Sequence, residues 1–230
     1  RGFKPAHAKT LALSARSTPG LEKIAATSGA NTLVLPLDVT DAASVAPASQ
    51  QVVAAWGGID LVVWCAGSHH PVRAWELDAA DARRLVDVNL NGVINGLPAV
   101  VGRLLLQKSG GIAIVSSVAG YGGLPTALVY GATKAALINL AETLYLDLAP
   151  RGIAVYLINP GFVKTPLTDK NTFKMPALIS AEEAAREIIA GFSRGNFEIH
   201  FPRRFTLWLK LLRLLPYRWY FALVHKGTGM

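Results

Sequence analysis

Tyr130 and Lys134 are the residues whose types and spacing point most directly to chemistry. On a helix, positions four apart share a face, so a phenol and an ammonium spaced this way point into one site. A nearby ammonium favours phenolate and lowers a tyrosine pKa from its ordinary value of about 10. Such a phenol passes a proton to or from a carbinol oxygen near neutral pH. Ser117 lies 13 residues before Tyr130, at the end of an apolar run, where its hydroxyl would bond the same oxygen. In isolation a Tyr-x-x-x-Lys is ordinarily a half-buried core tyrosine beside a solvated cation. Here the preceding Ser116–Ser117, a glycine-rich loop and an apolar helix pattern favour a site.

Such residues need elements to hold them. Thr10–Ala15, Thr32–Leu37, Leu61–Cys65, Ile112–Ser116 and Ala154–Ile158 are strand-length apolar runs. Near-continuous apolarity, rather than alternation, suits a parallel strand buried on both faces. Between and after them the pattern predicts helices over Pro19–Ala26, Ala42–Trp56, Ala79–Val101, Val129–Ala149 and Ala181–Ser193. Asp41 and Ser180 are the expected N-caps. Alternating strands and helices predict a single-domain α/β fold, a doubly wound parallel sheet of Rossmann type. Ligands of such sheets lie beyond the carboxyl ends of the strands, where Ser117 falls.

The chain has 230 residues, 51% of them apolar and 17% charged, which argues against disorder. Its one cysteine, Cys65, rules out an internal disulfide and reads as a small buried hydrophobe, not a nucleophile. No run of 18 uncharged apolar residues and no signal-peptide core are present, so the expected location is cytoplasmic. The net charge is +8, of which the segment from Arg194 onward carries +6. A near-neutral body gives no nucleic-acid signal, and the basic, aromatic-rich end fits an acidic surface instead.

The stretch GIAIVSSVAGYGGLPTALVYGATKAAL resembles the short-chain dehydrogenase/reductase family, and the resemblance covers most of residues 9–195. It implies catalytic roles for Ser117, Tyr130 and Lys134, and for Asn89 in VDVNLNG as part of a proton relay. It implies that Asp38 in LDVTD sits near an adenine ring, with an N-cap role as the alternative. Ala66 and Gly67 correspond to the end of the family's Asn-Asn-Ala-Gly turn, while Trp64 and Cys65 replace its asparagines. Pro160, Gly161 and Thr165 match the segment that holds a nicotinamide carboxamide. Arg16 closes the first strand, where a guanidinium accommodates a ribose 2′-phosphate, so NADP(H) is expected over NAD(H). Asn91 and Asn95 have no counterpart and are expected to be structural.

The implied activity is reduction of a carbonyl to an alcohol, with Tyr130 as general acid. The partners implied are a small-molecule substrate, lipid-like in one reading, and a second copy of the chain. The family's first strand and glycine-rich pyrophosphate loop are missing from this sequence, whose start, RGFKPAHAK, holds one glycine. The expected reason is that the full protein has residues beyond this sequence that supply them, rather than that this is a degenerate member. The absence argues for a rival, a cofactor-sensing or non-catalytic binding module on the same fold, against which the intact Ser117, Tyr130, Lys134 and Asn89 count. Residues 1–195 are read as the Rossmann-like domain and 196–230 as a basic amphipathic extension. In the extension Leu207, Leu211, Leu214 and Leu215 share a helical face that Pro216 should end or kink. Such a helix suits a membrane interface, in which case the protein is a peripheral membrane scaffold or enzyme; alternatively it packs on its own sheet or a second subunit. The layout, including GNFEIHFPRRFT, is similar to family members near the 3-ketosphinganine reductases. His69 and His70 lack a carboxylate or cysteine at ligand spacing, so a loop role is expected and no metal.

Overall fold

The computed structural model describes residues 8–171, 173 and 175–229. The segment 1–7, which falls in the stretch read as lacking a glycine-rich loop, lies outside the described residues.

Strand β1 (Thr10–Ala15) pairs in parallel with β2 (Asn31–Pro36), and helix α1 (Pro19–Thr27) connects them. Strands β3 (Leu61–Trp64), β4 (Gly111–Val115), β5 (Ala154–Pro160) and β6 (Glu198–Phe201) form a second parallel sheet in that order. Helices α2 (Ala42–Trp56), α3 (Ala79–Val86), α4 (Gly92–Gln107), α5 (Leu128–Leu148) and α6 (Ala181–Arg194) supply the crossovers. The two sheets share no ladder, so β1 and β3 each have one edge without a strand partner among the described residues.

Burial on both faces explains the unbroken apolar runs of β4 and β5. Ile112, Ile114, Val155 and Leu157 pack with Leu104 of α4 and Leu137 and Ala141 of α5. The intervening Ala113, Tyr156 and Ile158 pack on the other face with Ala184 and Phe192 of α6. That is the period-2 signature of a strand sandwiched between helical layers. Both expected N-caps form: Asp41 accepts from the Ala43 amide at 3.0 Å, and Ser180 forms a reciprocal box with Glu183.

Three features differ from the sequence reading. The helix expected over Ala79–Val101 is two helices, α3 and α4, separated by a single π turn at Asp87–Asn91. Residues 196–230 do not all lie outside the sheet, because Glu198–Phe201 extends it by one parallel strand beside β5. Cys65 is exposed rather than buried, since it leaves the sheet from the unpaired edge of β3. The continuous helical stretch Ala79–Gln107 is apolar and long enough to cross a bilayer, yet it places Leu85, Val93, Val100 and Leu104 in the protein core.

The extension itself is helical. Helices α7 (Arg203–Arg213) and α8 (Tyr217–Thr228) are separated at Pro216, as its ring dictates. Their inner faces pack on the body of the chain. Thr206 is fully buried with its hydroxyl 2.6 Å from His200 Nδ1, and the Tyr220 hydroxyl donates to the Gly123 carbonyl at 2.7 Å.

Candidate active site

Strand ends and one helix assemble the site. β4 delivers Ser116 and Ser117, and α5 delivers Tyr130 and Lys134 across a short loop. The buried Ser116 hydroxyl donates to the Lys134 carbonyl at 2.8 Å, which pins α5 to the end of β4. Gly120 permits the approach: a Cβ there would sit 2.7 Å from the Lys134 carbonyl carbon. This loop glycine is therefore dictated by packing of backbone against backbone. Ser117 caps the loop by accepting from the Ala119 amide at 3.1 Å, and its hydroxyl lies close enough to the Tyr130 phenol to favour the phenolate.

Lys134 is buried, with 4% of its surface exposed. Its ammonium donates to the Val115 carbonyl at 2.9 Å and lies 5.6 Å from the centre of the Tyr130 ring. Burial pushes its pKa down to about 8. Burial also raises the Tyr130 pKa, and the hydrogen bond from Ser117 only partly offsets that. The expectation that the neighbouring ammonium lowers this phenol's pKa is thus corrected. Desolvation of the phenolate is the dominant effect, and the lysine spends a hydrogen bond on the backbone of β4.

Asn89 is fully buried in the π turn. Its Oδ1 accepts from the Ser68 amide at 2.7 Å, and its Nδ2 donates to the Ser68 carbonyl at 2.9 Å and to Thr133 Oγ1 at 3.2 Å. Thr133 in turn donates to the Tyr130 carbonyl at 2.7 Å. The asparagine therefore locks the turn after β3 to the first turns of α5. A π turn adds one residue to the helix and re-aims the side chain there, as such turns do at many functional sites. Gly67 lies over the junction: a Cβ there would meet Asn89 Oδ1 at 3.6 Å and Lys134 Nζ at 3.8 Å. Ser117, Tyr130, Lys134, Asn89 and Gly67 are thus one cluster at the carboxyl ends of β3 and β4, and Ala66 precedes Gly67 in the same turn.

The remaining candidates lie at neighbouring strand ends and make no hydrogen bond to that cluster. Arg16 and Asp38 follow β1 and β2, whose register pairs Ala15 with Pro36. Asp38 accepts from the Thr40 amide and hydroxyl, and these bonds, with the Arg16 guanidinium nearby, hold its carboxyl below the usual range. Pro160 ends β5, Gly161 donates to the Phe201 carbonyl at 2.7 Å, and Thr165 opens a turn closed by Thr168. Asn91 and Asn95 are structural as expected, bonding Asp87 and the Val39 carbonyl.

His69, read from the sequence as a loop residue after the Ala-Gly turn that could face substrate, lies beside the site, whereas sequence spacing gave no signal for the polar group around Glu198. His69 packs edge-on against the Tyr130 ring, centroids 4.5 Å apart, and its Nε2 lies 3.2 Å from Asn171 Oδ1. Asn159 donates to Glu198 at 2.9 Å, Tyr121 donates to the same carboxylate at 2.6 Å, and Lys210 of α7 pairs with its other oxygen. Burial works against this carboxylate, but hydrogen bonds from Lys210, Tyr121 and Asn159 together hold its pKa below the usual range. Among the described residues no cluster of metal-ligating side chains occurs.

A family model described as short chain dehydrogenase matches residues 3–175. An uncharacterized oxidoreductase of Myxococcus xanthus is 36% identical over 180 residues, spanning 78% of this chain and 71% of that protein. An alcohol dehydrogenase of the archaeon Thermococcus sibiricus, solved with 5-hydroxy-NADP, superposes with a TM-score of 0.75 at 26% identity, covering 86% of each chain. A short-chain dehydrogenase/reductase of Burkholderia phymatum, solved with NAD, gives a TM-score of 0.80 over 88% of this chain and 83% of its own. At 24% identity that last likeness concerns the fold alone.

Proposed function

The chain belongs to the short-chain dehydrogenase family, and on that premise we propose that it is an NADP(H)-dependent reductase of a carbonyl compound. The observation that carries this reading is the arrangement at the end of β4: the buried Ser117 and Lys134 lie beside Tyr130, with the Lys134 ammonium 5.6 Å from the centre of its ring. A phenol whose pKa is raised stays protonated at neutral pH and so serves as an acid, which is the form that reduction needs.

The residues present fit a nicotinamide cofactor at two ends. At one, Gly67 lies over Lys134 and Asn89, and the Asn159 Oδ1 is a buried acceptor without a hydrogen-bond partner. At the other, Arg16 and Asp38 follow adjacent strands. Arg16 would meet a ribose 2′-phosphate, Asp38 the adenine, and Ala66, Gly67, Pro160, Gly161 and Thr165 the remaining ribose and carboxamide. When bound, the nicotinamide supplies a hydride. Ser117 donates to the substrate carbonyl oxygen and Tyr130 delivers a proton to it, so that a ketone becomes a secondary alcohol. Lys134 holds positive charge beside the oxygen as it becomes negative. Asn89 and Thr133 keep the first turn of α5 in register with the turn at Gly67.

The substrate is a small-molecule ketone, lipid-like in one reading, for which the apolar residues of the extension are the argument. We place the reaction in the cytoplasm. A second copy of the chain would cover α4 and α5, which leave Leu106 and Leu146 80% and 73% exposed.

NADPH titrated against intrinsic tryptophan fluorescence, followed by NADPH consumption with short- and long-chain ketones, tests the reading. Arg16→Glu should weaken NADPH binding about 30-fold, the loss of a charged hydrogen-bonded contact, with little change toward NADH. If the parent protein binds neither dinucleotide, the non-catalytic binding module takes its place.

A further inference from the structure

The extension turns an apolar, acid-free face to solvent. On α7 and its C-cap, Leu207, Leu211 and Leu214 recur at helical spacing with Trp208 beside them, and Leu214 is 80% exposed. Trp219 and Phe221 of α8 are more than half exposed. The helices cannot roll to hide these side chains, because their inner faces are tied down. Thr206 is buried against His200, Lys210 pairs with Glu198, and the Tyr220 hydroxyl bonds Gly123. Arg203 and Arg204 stand on the same outer arc of α7, and Arg213, Arg218 and Lys226 are exposed on or beside α8. From residue 199 to the end the sequence holds six Lys/Arg and no Asp or Glu.

We propose that this face of α7 and α8 docks the protein on an anionic lipid bilayer. Charge complementarity selects this occupant over a second copy. A two-fold interface lays the same patch on itself, which here would bring arginine against arginine with no acid to answer it. An anionic bilayer surface accepts all of these groups at once: leucines and aromatic rings enter the acyl boundary while cations stay among the headgroups. The inference does not rest on the reductase reading, since it concerns the outer face of helices whose inner faces meet the body.

Co-sedimentation of the full chain with vesicles tests it. The protein should partition onto phosphatidylcholine vesicles containing phosphatidylserine, less so as salt rises, and not onto phosphatidylcholine alone. Leu211→Glu, and separately the pair Arg203→Glu and Arg204→Glu, should each lower the bound fraction about tenfold. These positions are exposed, so melting temperature should be unchanged, and light scattering should give the parent's molar mass. The proposal is overturned if the parent ignores anionic vesicles, if it binds neutral vesicles equally, or if Leu211→Glu changes molar mass without changing vesicle binding. Because vesicle binding is read without turnover, a catalytically inert protein would still decide it.

Discussion

Tyr130→Phe is expected to lower kcat for ketone reduction by about 10³-fold, the contribution of a positioned general acid, while NADPH affinity stays near the parent's. The variant removes one oxygen and keeps the ring, so the edge contact with His69 survives. Losing the phenol's interaction with Ser117 costs at most about 1 kcal/mol of stability, too little to unfold a domain of this size. The measurement is kcat alongside a dinucleotide titration and a thermal melt. A variant that retains the parent kcat would remove Tyr130 from the chemistry, however well it sits in the cluster.

Lys134→Met is expected to separate activity from stability. The buried ammonium has its pKa pushed down from 10.5 to about 8, so the fold disfavours the charged form. Between those two values the unfolded chain binds more protons than the native one, and this lysine's contribution makes stability rise with pH across that window. Below pH 8 the native state bears the full cost, on the order of 3 kcal/mol at 1.36 kcal/mol per unit. Replacing the cation by methionine removes that cost but leaves the Val115 carbonyl without its partner, which returns about 1 kcal/mol. The variant should therefore be more stable than the parent at pH 7 by about 2 kcal/mol, and by progressively less as pH rises past 8. Turnover should fall by about 10²-fold or more, since the positive charge next to the reacting oxygen is gone. Denaturant melts at pH 7 and pH 10, paired with kcat, check both. Lower stability at pH 7 would show that the native state does not bear that cost.

Legibility from the sequence followed how local each cause was. The bounds of β1 were read correctly because an apolar run ends at polar and proline residues within five positions. Tyr130, Lys134 and Ser117 stood out because one helix and the strand before it hold them, so their spacing is itself geometry. The π turn at Asn89 was invisible, since one extra residue in a helix leaves the apolar pattern nearly unchanged. β6 was missed although Glu198–Phe201 alternates polar and apolar residues, because four residues are the shortest stretch over which that period marks a strand. Its carboxylate is inside only because Tyr121, Asn159 and Lys210, from three distant segments, converge on it. The direction of the Tyr130 pKa was misjudged for a related reason. Four-residue spacing places the ammonium nearby, but desolvation of the Tyr130 phenol itself, which a pair rule does not contain, outweighs it.

The central claim is that a protonated phenol, a serine hydroxyl and a buried ammonium act together on a carbonyl oxygen. Its most direct test uses NADPH carrying deuterium at the transferable C4 position, incubated with full-length protein and a ketone panel, with products read by mass spectrometry. The account predicts deuterium on the carbinol carbon of a reduced ketone with the parent protein, and almost none with Tyr130→Phe at equal dinucleotide saturation. Label transfer at the same rate in both proteins, or none from the parent with any ketone while NADPH binds, would contradict it.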